Sequence, residues 1–258
     1  MREFLEDAHA HRQDGYGRAQ AANKVPLMKR FYASVTVAPA EAGGFAVLLD
    51  GRNVKTPGGK PVIVPTEALG QAMAAEWEAQ ATEIDFRHMP LVRLAHSAVE
   101  SGAEGAAAFR DEVLKFAGND LLLYRADTPD SLVAEQEAAW DPVLVGLARQ
   151  LAVAFRPTVG IIHQPQPETT LQRLAATLAG ENHFALMALM QMTSLTGSAL
   201  LVMAHRQGLV DADSVWTAAH VDEDHNIRLW GEDEEAAKRR RQRRIEFDAA
   251  LKLLEAIG

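Results

Sequence analysis

The chain has 258 residues, 48% apolar and 24% charged, with a formal net charge of −9 and no cysteine. A chain of this length buries roughly three quarters of its unfolded surface without a covalent staple, and it divides into one or two domains. The missing cysteines exclude disulfides, thiolate zinc sites and thiol catalysis and suit a reducing compartment, while the acidic balance argues against a nucleic-acid footprint.

Residues 1–28 are polar and alanine-rich, with acids and no apolar core run. They read as a helical or disordered arm, and as neither a signal peptide nor a transit peptide. From Phe31 the pattern changes. Tyr32 to Val37 alternates as a strand does, Gly43-Gly44 marks a turn, and Phe45 to Leu49 reads as a second strand. Asp50-Gly51 is a hairpin signal, because glycine accepts a positive φ. Val54 to Thr56, a Pro57-Gly58-Gly59 turn and Val62 to Val64 complete a set of short antiparallel strands.

Thr66 is placed to cap the next helix. In that helix Leu69, Met73 and Trp77 fall at helical spacing on one buried stripe. Pro90 opens a second helix, with Leu91, Leu94, Ala95 and Ala98 on one face. Phe109 to Phe116 reads as a third helix, and Leu121 to Tyr124 as an apolar strand. Beyond Thr128 the pattern is almost entirely helical. Ser131 to Phe155 is amphipathic, with Pro142 as a break or a helix start. Arg156 to Gln166 is a connector with a short strand expected near Val159 to Ile162. Thr169 to Leu178, His183 to Gln207, Ala212 to Trp230 and Glu232 to Ile257 read as helices. Gly208 suits a helix C-terminus, and Asp211 or Asp213 an N-cap. The fold class expected is α+β. A β-rich N-terminal domain with its arm (residues 1–128) precedes an orthogonal helical bundle (residues 129–258).

Catalytic and cofactor motifs do not occur. Gly59-Lys60 is followed by Pro61, so it is no phosphate-binding loop, and there is no GxGxxG, HExxH or GxSxG. His220 and His225 are five apart and diverge around a helix, which argues against a shared metal. Ser194 and Ser198 lie in an apolar run, where hydroxyls bond the carbonyl one turn back. That run, Phe184 to Ala204, is interrupted by Gln191, Thr193, Ser194, Thr196, Gly197 and Ser198, so it is a buried helix rather than a membrane span. No metal, organic cofactor or catalytic residue is expected.

Three segments remain. Val221 to Glu235 holds seven acids around an apolar pivot. Val221, Ile227 or Arg228, and Trp230 can face a core while the acids face outward, and Gly231 marks a break between helices. The plain alternative is a solvated helix face whose N-terminal acids suit the helix dipole. The functional alternative is an acidic patch that holds a basic client surface. Lys238 to Arg244 is a basic run. Glu234 with Lys238 and Glu235 with Arg239 have the helix-stabilising i, i+4 order, so a charged helix shoulder fits it better than a nucleic-acid site. Met187, Met190, Met192 and Met203 read as core, although methionines also adapt to irregular partners.

Taken in order, VLLDGRNVKTPGGKPVIVP, AAEWEAQ, MPLVRLAHSAVE, DLLLYRAD, AAWDPVL, TSLTGSALL and DEDHNIRLWGEDEE resemble the assembly chaperones of the F-type ATP synthase alpha subunit over roughly residues 28–245. The resemblance implies a β-rich domain followed by a helical bundle. It also implies a non-enzymatic protein that binds the unassembled alpha subunit and promotes its assembly with the beta subunit. The family's acidic motif after Trp-Gly matches Trp230, Gly231 and Glu234. The client-binding residues expected are therefore Glu234, Glu232, Asp233, Glu235, Asp222, Asp224 and Trp230. The basic run is less typical of the family and receives no role from it. A monomer without nucleic-acid binding or membrane insertion is expected. The bacterial cytoplasm is its expected place, and the mitochondrial matrix that of eukaryotic relatives. The alternatives are a small-molecule enzyme with an unfamiliar site and a nucleic-acid adaptor using residues 238–244.

Overall fold

The computed structural model describes residues 27–258, and the expected N-terminal arm falls almost wholly outside them. In chain order the elements are β1 (Met28–Lys29), β2 (Val35–Pro39), β3 (Phe45–Leu49), β4 (Arg52–Asn53), β5 (Ile63–Val64), α1 (Glu67–Glu78), β6 (Glu83–Ile84), α2 (Pro90–Ser101) and α3 (Ala106–Gly118). There follow β7 (Tyr124–Arg125), α4 (Asp130–Leu151), β8 (Thr158–Val159), α5 (Glu168–Thr177), α6 (His183–Thr196), α7 (Ala199–Arg206), α8 (Ala212–Ala219), α9 (Val221–Trp230) and α10 (Glu234–Ile257). The architecture is α+β. Among the described residues every strand ends by Arg125 except β8, and no helix is long and apolar enough to cross a membrane.

The chain divides into two units. The smaller contains β1 and β6, paired antiparallel with Met28 opposite Ile84. Its backbone is further closed by Arg30 N–H on the Thr82 carbonyl at 2.9 Å.

The larger unit is residues 32–79 with 86–258. Its sheet is built on β3, which pairs antiparallel with β2, β4 and β5. The β3–β4 turn is the Asp50-Gly51 pair, and both residues have positive φ, 48° and 76°. Their twist matches that of the flanking strands. Asp50 tolerates it because its carboxylate accepts from the backbone of Ala33 and Ser34. One face of the sheet is covered by α1, whose Leu69, Met73 and Trp77 are buried in the predicted stripe. Thr66 caps α1 by accepting from Leu69 N–H at 3.2 Å, and its own hydroxyl donates to the Ala256 carbonyl of α10. Gly70 permits the close approach to β2: a Cβ there would lie 2.8 Å from Val37 Cγ1.

The helices pack around α6, whose Phe184, Ala185, Leu186, Met187, Ala188, Leu189 and Met192 are all buried. Helices α2, α3, α7 and α10 surround it. Met187, Met192 and Met203 are thus core residues.

Several expectations need correction. Leu121 to Tyr124 is not a strand: Leu121–Leu123 is a 3-10 turn, and only Tyr124–Arg125 pairs, in parallel with β8. Asp120 imposes this by capturing Leu122 N–H with its carboxylate at 3.1 Å and Leu123 N–H with its carbonyl. The helix read over His183 to Gln207 is two, broken at Gly197 (φ 71°). The one read over Ala212 to Trp230 is also two, broken at His220. Pro142 lies inside α4 rather than at its break. Ser198 does not bond back along a helix. It caps α7, accepting from Leu201 N–H at 3.0 Å.

Candidate functional site

The acidic segment forms the corner between α9 and α10. Of α9 only Val221 and His225 are buried. The sequence allows Trp230 either a core-facing place or a client-binding one; it is 83% exposed, beside Leu229 at 57%. The helix repeat gives the reason. At about 100° per residue, position 230 lies about 180° around the helix from Val221. Gly231 (φ 86°) then turns the chain away before any neighbouring element could cover the indole.

The expected client-binding residues separate into two groups. Asp222 accepts from Gln136 Nε2 of α4 at 2.8 Å. Asp224 pairs with Arg240 of α10, and that pairing holds the arginine above its ordinary pKa. Asp233 is the N-cap of α10, accepting from Ala236 N–H at 2.7 Å. These three carboxylates hold the corner together. Trp230, Glu232, Glu234 and Glu235 point outward and are exposed. Glu235 pairs loosely with Arg239 at 3.4 Å, as its i, i+4 spacing predicts. Glu234 forms no corresponding ion pair with Lys238 among the described residues.

A second clamp, unseen in the sequence, fixes the C-terminal half of α9. Glu135 of α4 bonds the guanidinium of Arg228 and lies 3.3 Å from His225 Nδ1. Arg228 first, then His225, hold the Glu135 carboxyl below the ordinary carboxylate range, against a smaller opposing effect of burial. His220 is buried, its Nδ1–H donating to the Trp216 carbonyl at 2.7 Å, and burial lowers its pKa. Neither histidine belongs to a cluster of three or more His, Cys, Asp or Glu side chains able to hold a metal among the described residues.

The basic run is largely tied to neighbouring elements. Arg240 goes to Asp224, Arg244 to Asp213 at 2.6 Å and Asp248 at 2.7 Å, Arg239 to Glu235, and Arg243 to the Leu195 carbonyl. Arg244 also stacks over Trp216 at 5.5 Å. The run is a charged helix shoulder that staples α10 to α8 and α9.

Known proteins share this fold. The family described as ATP12 chaperone protein matches residues 29–148. The crystal structure of Atp12 from Paracoccus denitrificans is 38% identical, with a TM-score of 0.84 over 90% of this chain and 99% of that one. The chain belongs to the ATP12 chaperone family. The Atu1473 protein from Agrobacterium tumefaciens is also similar, at 42% identity and a TM-score of 0.87, covering 93% of this chain and 90% of that one. The mitochondrial protein atp12 of Schizosaccharomyces pombe is 25% identical over 223 residues, 82% of this chain and 76% of that protein. The family is the group of ATP synthase assembly chaperones that the sequence resembles. Its matched region, residues 29–148, ends before the acidic corner.

Leu229 and Glu135 were missed as site residues. The signal for Leu229 was present: a Leu-Trp pair immediately before a helix-ending glycine has little helix left in which to be buried. Glu135 had no local signal, because its partners are about 90 residues away in the chain.

Proposed function

We propose that this protein binds the unassembled alpha subunit of the ATP synthase catalytic sector and holds it until the beta subunit takes its place. We further propose that the contact is made by the helical half of the chain, residues 129–258, through the corner of Trp230, Glu232, Glu234 and Glu235. The observation that carries this reading is the exposed Trp230. A large aromatic in the open, beside carboxylates of which, among the described residues, Glu235 alone has an ion pair and that a loose one, is the kind of anchor found at protein interfaces. Leu229 extends the apolar area. Asp222, Asp224 and Asp233 keep the corner in shape and act on the client only through it. The work described is binding without catalysis, and the proposed place is the bacterial cytoplasm.

The test compares Glu234→Gln with Glu235→Gln. Both are assayed for melting temperature and for keeping purified alpha subunit soluble. Removal of a carboxylate contact in a desolvated interface typically costs about 2–5 kcal/mol, whereas loss of a rim charge changes mainly association rate and salt dependence. Glu234→Gln is expected to melt like the parent and fail in the solubility assay, and Glu235→Gln, whose carboxylate is partly employed by Arg239, to lose less of the protection. If both variants protect the subunit as the parent does, the corner is a solvated helix end and the proposal for it fails.

A further inference from the structure

A groove runs along α4 beside the acidic corner. Two adjoining concavities of about 460 and 640 Å³ share Ala138 and Ala139 of α4 and Thr217 of α8, and so form one continuous trough. Its floor is apolar and built from small side chains, with Pro142, Val143, Leu201, Ala218 and Val221 completing it. Small side chains let a partner's backbone come close, and a volume of this size takes a row of side chains rather than one. Its walls are helices and the Val210-Asp211 connector, with no strand among them, so no sheet edge is available for an added strand, and a helix seated in the groove is the mode left.

Two further features specify the occupant. Pro142 has no N–H and sits four residues after Ala138 within α4. The Ala138 carbonyl therefore lacks its usual helical donor, and both residues line the trough. A partner's donor would satisfy that acceptor. The charged lining is also one-sided: Glu135, Asp224, Asp211 and Asp213 face a single guanidinium, Arg228. Glu135 is paired to Arg228, while Asp213 and Asp224 are paired to Arg244 and Arg240, which lie outside the lining. The Asp213 side chain nonetheless remains 83% exposed. Positive flanks on a partner would meet carboxylates at both ends.

We propose that this trough receives an amphipathic helix of the client, with a ridge of small apolar side chains and lysine or arginine on its flanks. The proposal rests on the reading of the protein as the holder of an unassembled subunit, and it names the class of element held. One end of the trough lies against α9, the helix that carries Leu229 and Trp230, so an occupant extending beyond Arg228 reaches the acidic corner.

The direct probes are two synthetic amphipathic helices of about 18 residues, one of Leu, Ala and Lys and one of Leu, Ala and Glu, titrated onto the full chain. The Lys helix is expected to bind at least about tenfold more tightly than the Glu helix. Ala138→Trp and Thr217→Trp fill the trough from opposite walls at exposed positions, and each is expected to weaken the Lys helix at least about tenfold. Glu137→Trp, on α4 outside the trough, is expected to leave it unchanged. Equal affinity of the two helices, or binding untouched by both trough variants, overturns the proposal. The same variants are then tested on purified alpha subunit. If the Lys helix behaves as expected and the subunit does not bind at all, the client assignment falls and the groove stands. If subunit binding depends on Trp230 and Glu234 but not on Ala138 or Thr217, the groove falls and the client assignment stands.

Discussion

Two helix junctions in this chain are written in the same local code. Between α6 and α7, Gly197 at φ 71° ends one helix and Ser198 caps the next. Between α9 and α10, Gly231 at φ 86° ends one helix and Asp233 caps the next. The first junction is buried. Ser198 Oγ donates to Asp120 Oδ1 at 2.7 Å, and Asp120 also receives Leu200 N–H at 2.9 Å and Leu122 N–H at 3.1 Å. The second is exposed, and among the described residues no element covers the indole before it. One glycine-and-cap sentence therefore closes a buried network in one place and leaves an aromatic in the open in the other, and the difference lies in what the rest of the chain brings alongside.

The largest expected effect that would sharpen this contrast is Asp120→Ala. It strands a hydroxyl and two backbone N–H groups in a fully buried site, and a loss of about 3–5 kcal/mol is expected in chemical denaturation. A comparable loss, about 3–5 kcal/mol, is expected for Trp77→Ala, which empties the seam between α1 and the rings of Tyr32 and Phe86, each 5.7 Å away. Next in size come the caps themselves. Ser198→Ala removes both a cap and the Asp120 contact and should cost about 2–3 kcal/mol, against about 1 kcal/mol for Asp233→Ala. Equal losses at the two positions would show that the buried network adds nothing to capping.

The pH dependence of the buried junction has a definite sign. Burial raises the Asp120 carboxyl from its usual value to about 6, against the opposing effect of its hydrogen bonds. A folded-state pKa above the unfolded one means that this group's contribution is fully present below the unfolded pKa near 3.8 and is lost as pH rises through about 6. The lowered carboxylates Asp50, Glu100, Glu135 and Asp211 act in the opposite sense, their stabilisation being lost only as pH falls below the ordinary carboxylate range. Glu76, also raised by burial, acts in the same sense as Asp120, while His96, His183 and His220, lowered by burial, cost stability as pH falls through the ordinary histidine range, so the Asp120 effect is read as the difference between the pH profiles of the parent and of Asp120→Asn. The carboxyl ¹³C resonance of Asp120 should titrate near its raised value, and a midpoint below that of a free aspartate would show that the hydrogen bonds outweigh burial.

The smallest effect on stability is expected at the exposed junction. Trp230→Ser should change folding by less than about 0.5 kcal/mol. Trp77, Trp140 and Trp216 are buried, so the same substitution should remove most of the iodide-quenchable tryptophan fluorescence. A destabilisation like that of Trp77→Ala would mean that the indole is packed, and the two junctions would no longer differ.

Much of this was legible locally. The Asp50-Gly51 hairpin, the Leu69, Met73 and Trp77 stripe, the Thr66 and Asp211 caps, Pro90 at a helix start and the break at Gly231 each depend on a residue's own conformational preference or on neighbours within one or two turns. That range is why the α+β order of elements and the acidic corner could be read from the chain. The failures share the opposite property. Leu121 to Leu123 has a strand's composition and became a turn because of Asp120, whose carboxylate also holds residues nearly 80 positions away. Trp230 is apolar enough to face a core, and its spacing permits it, yet it stands in the open. Its exposure was decided by which face of α9 Gln136, Glu135 and Arg240 hold against the bundle. The groove along α4 has no sequence signal at all, since it exists only because α8 and α9 stop short of covering Ala138 and Pro142. Sequence alone determined where helices and strands begin, end and turn, because those steps are governed by short-range sterics and hydrogen bonds. Only the tertiary structure decided which junction was sealed and which was left open, because burial depends on the side chains that distant segments bring to the same place.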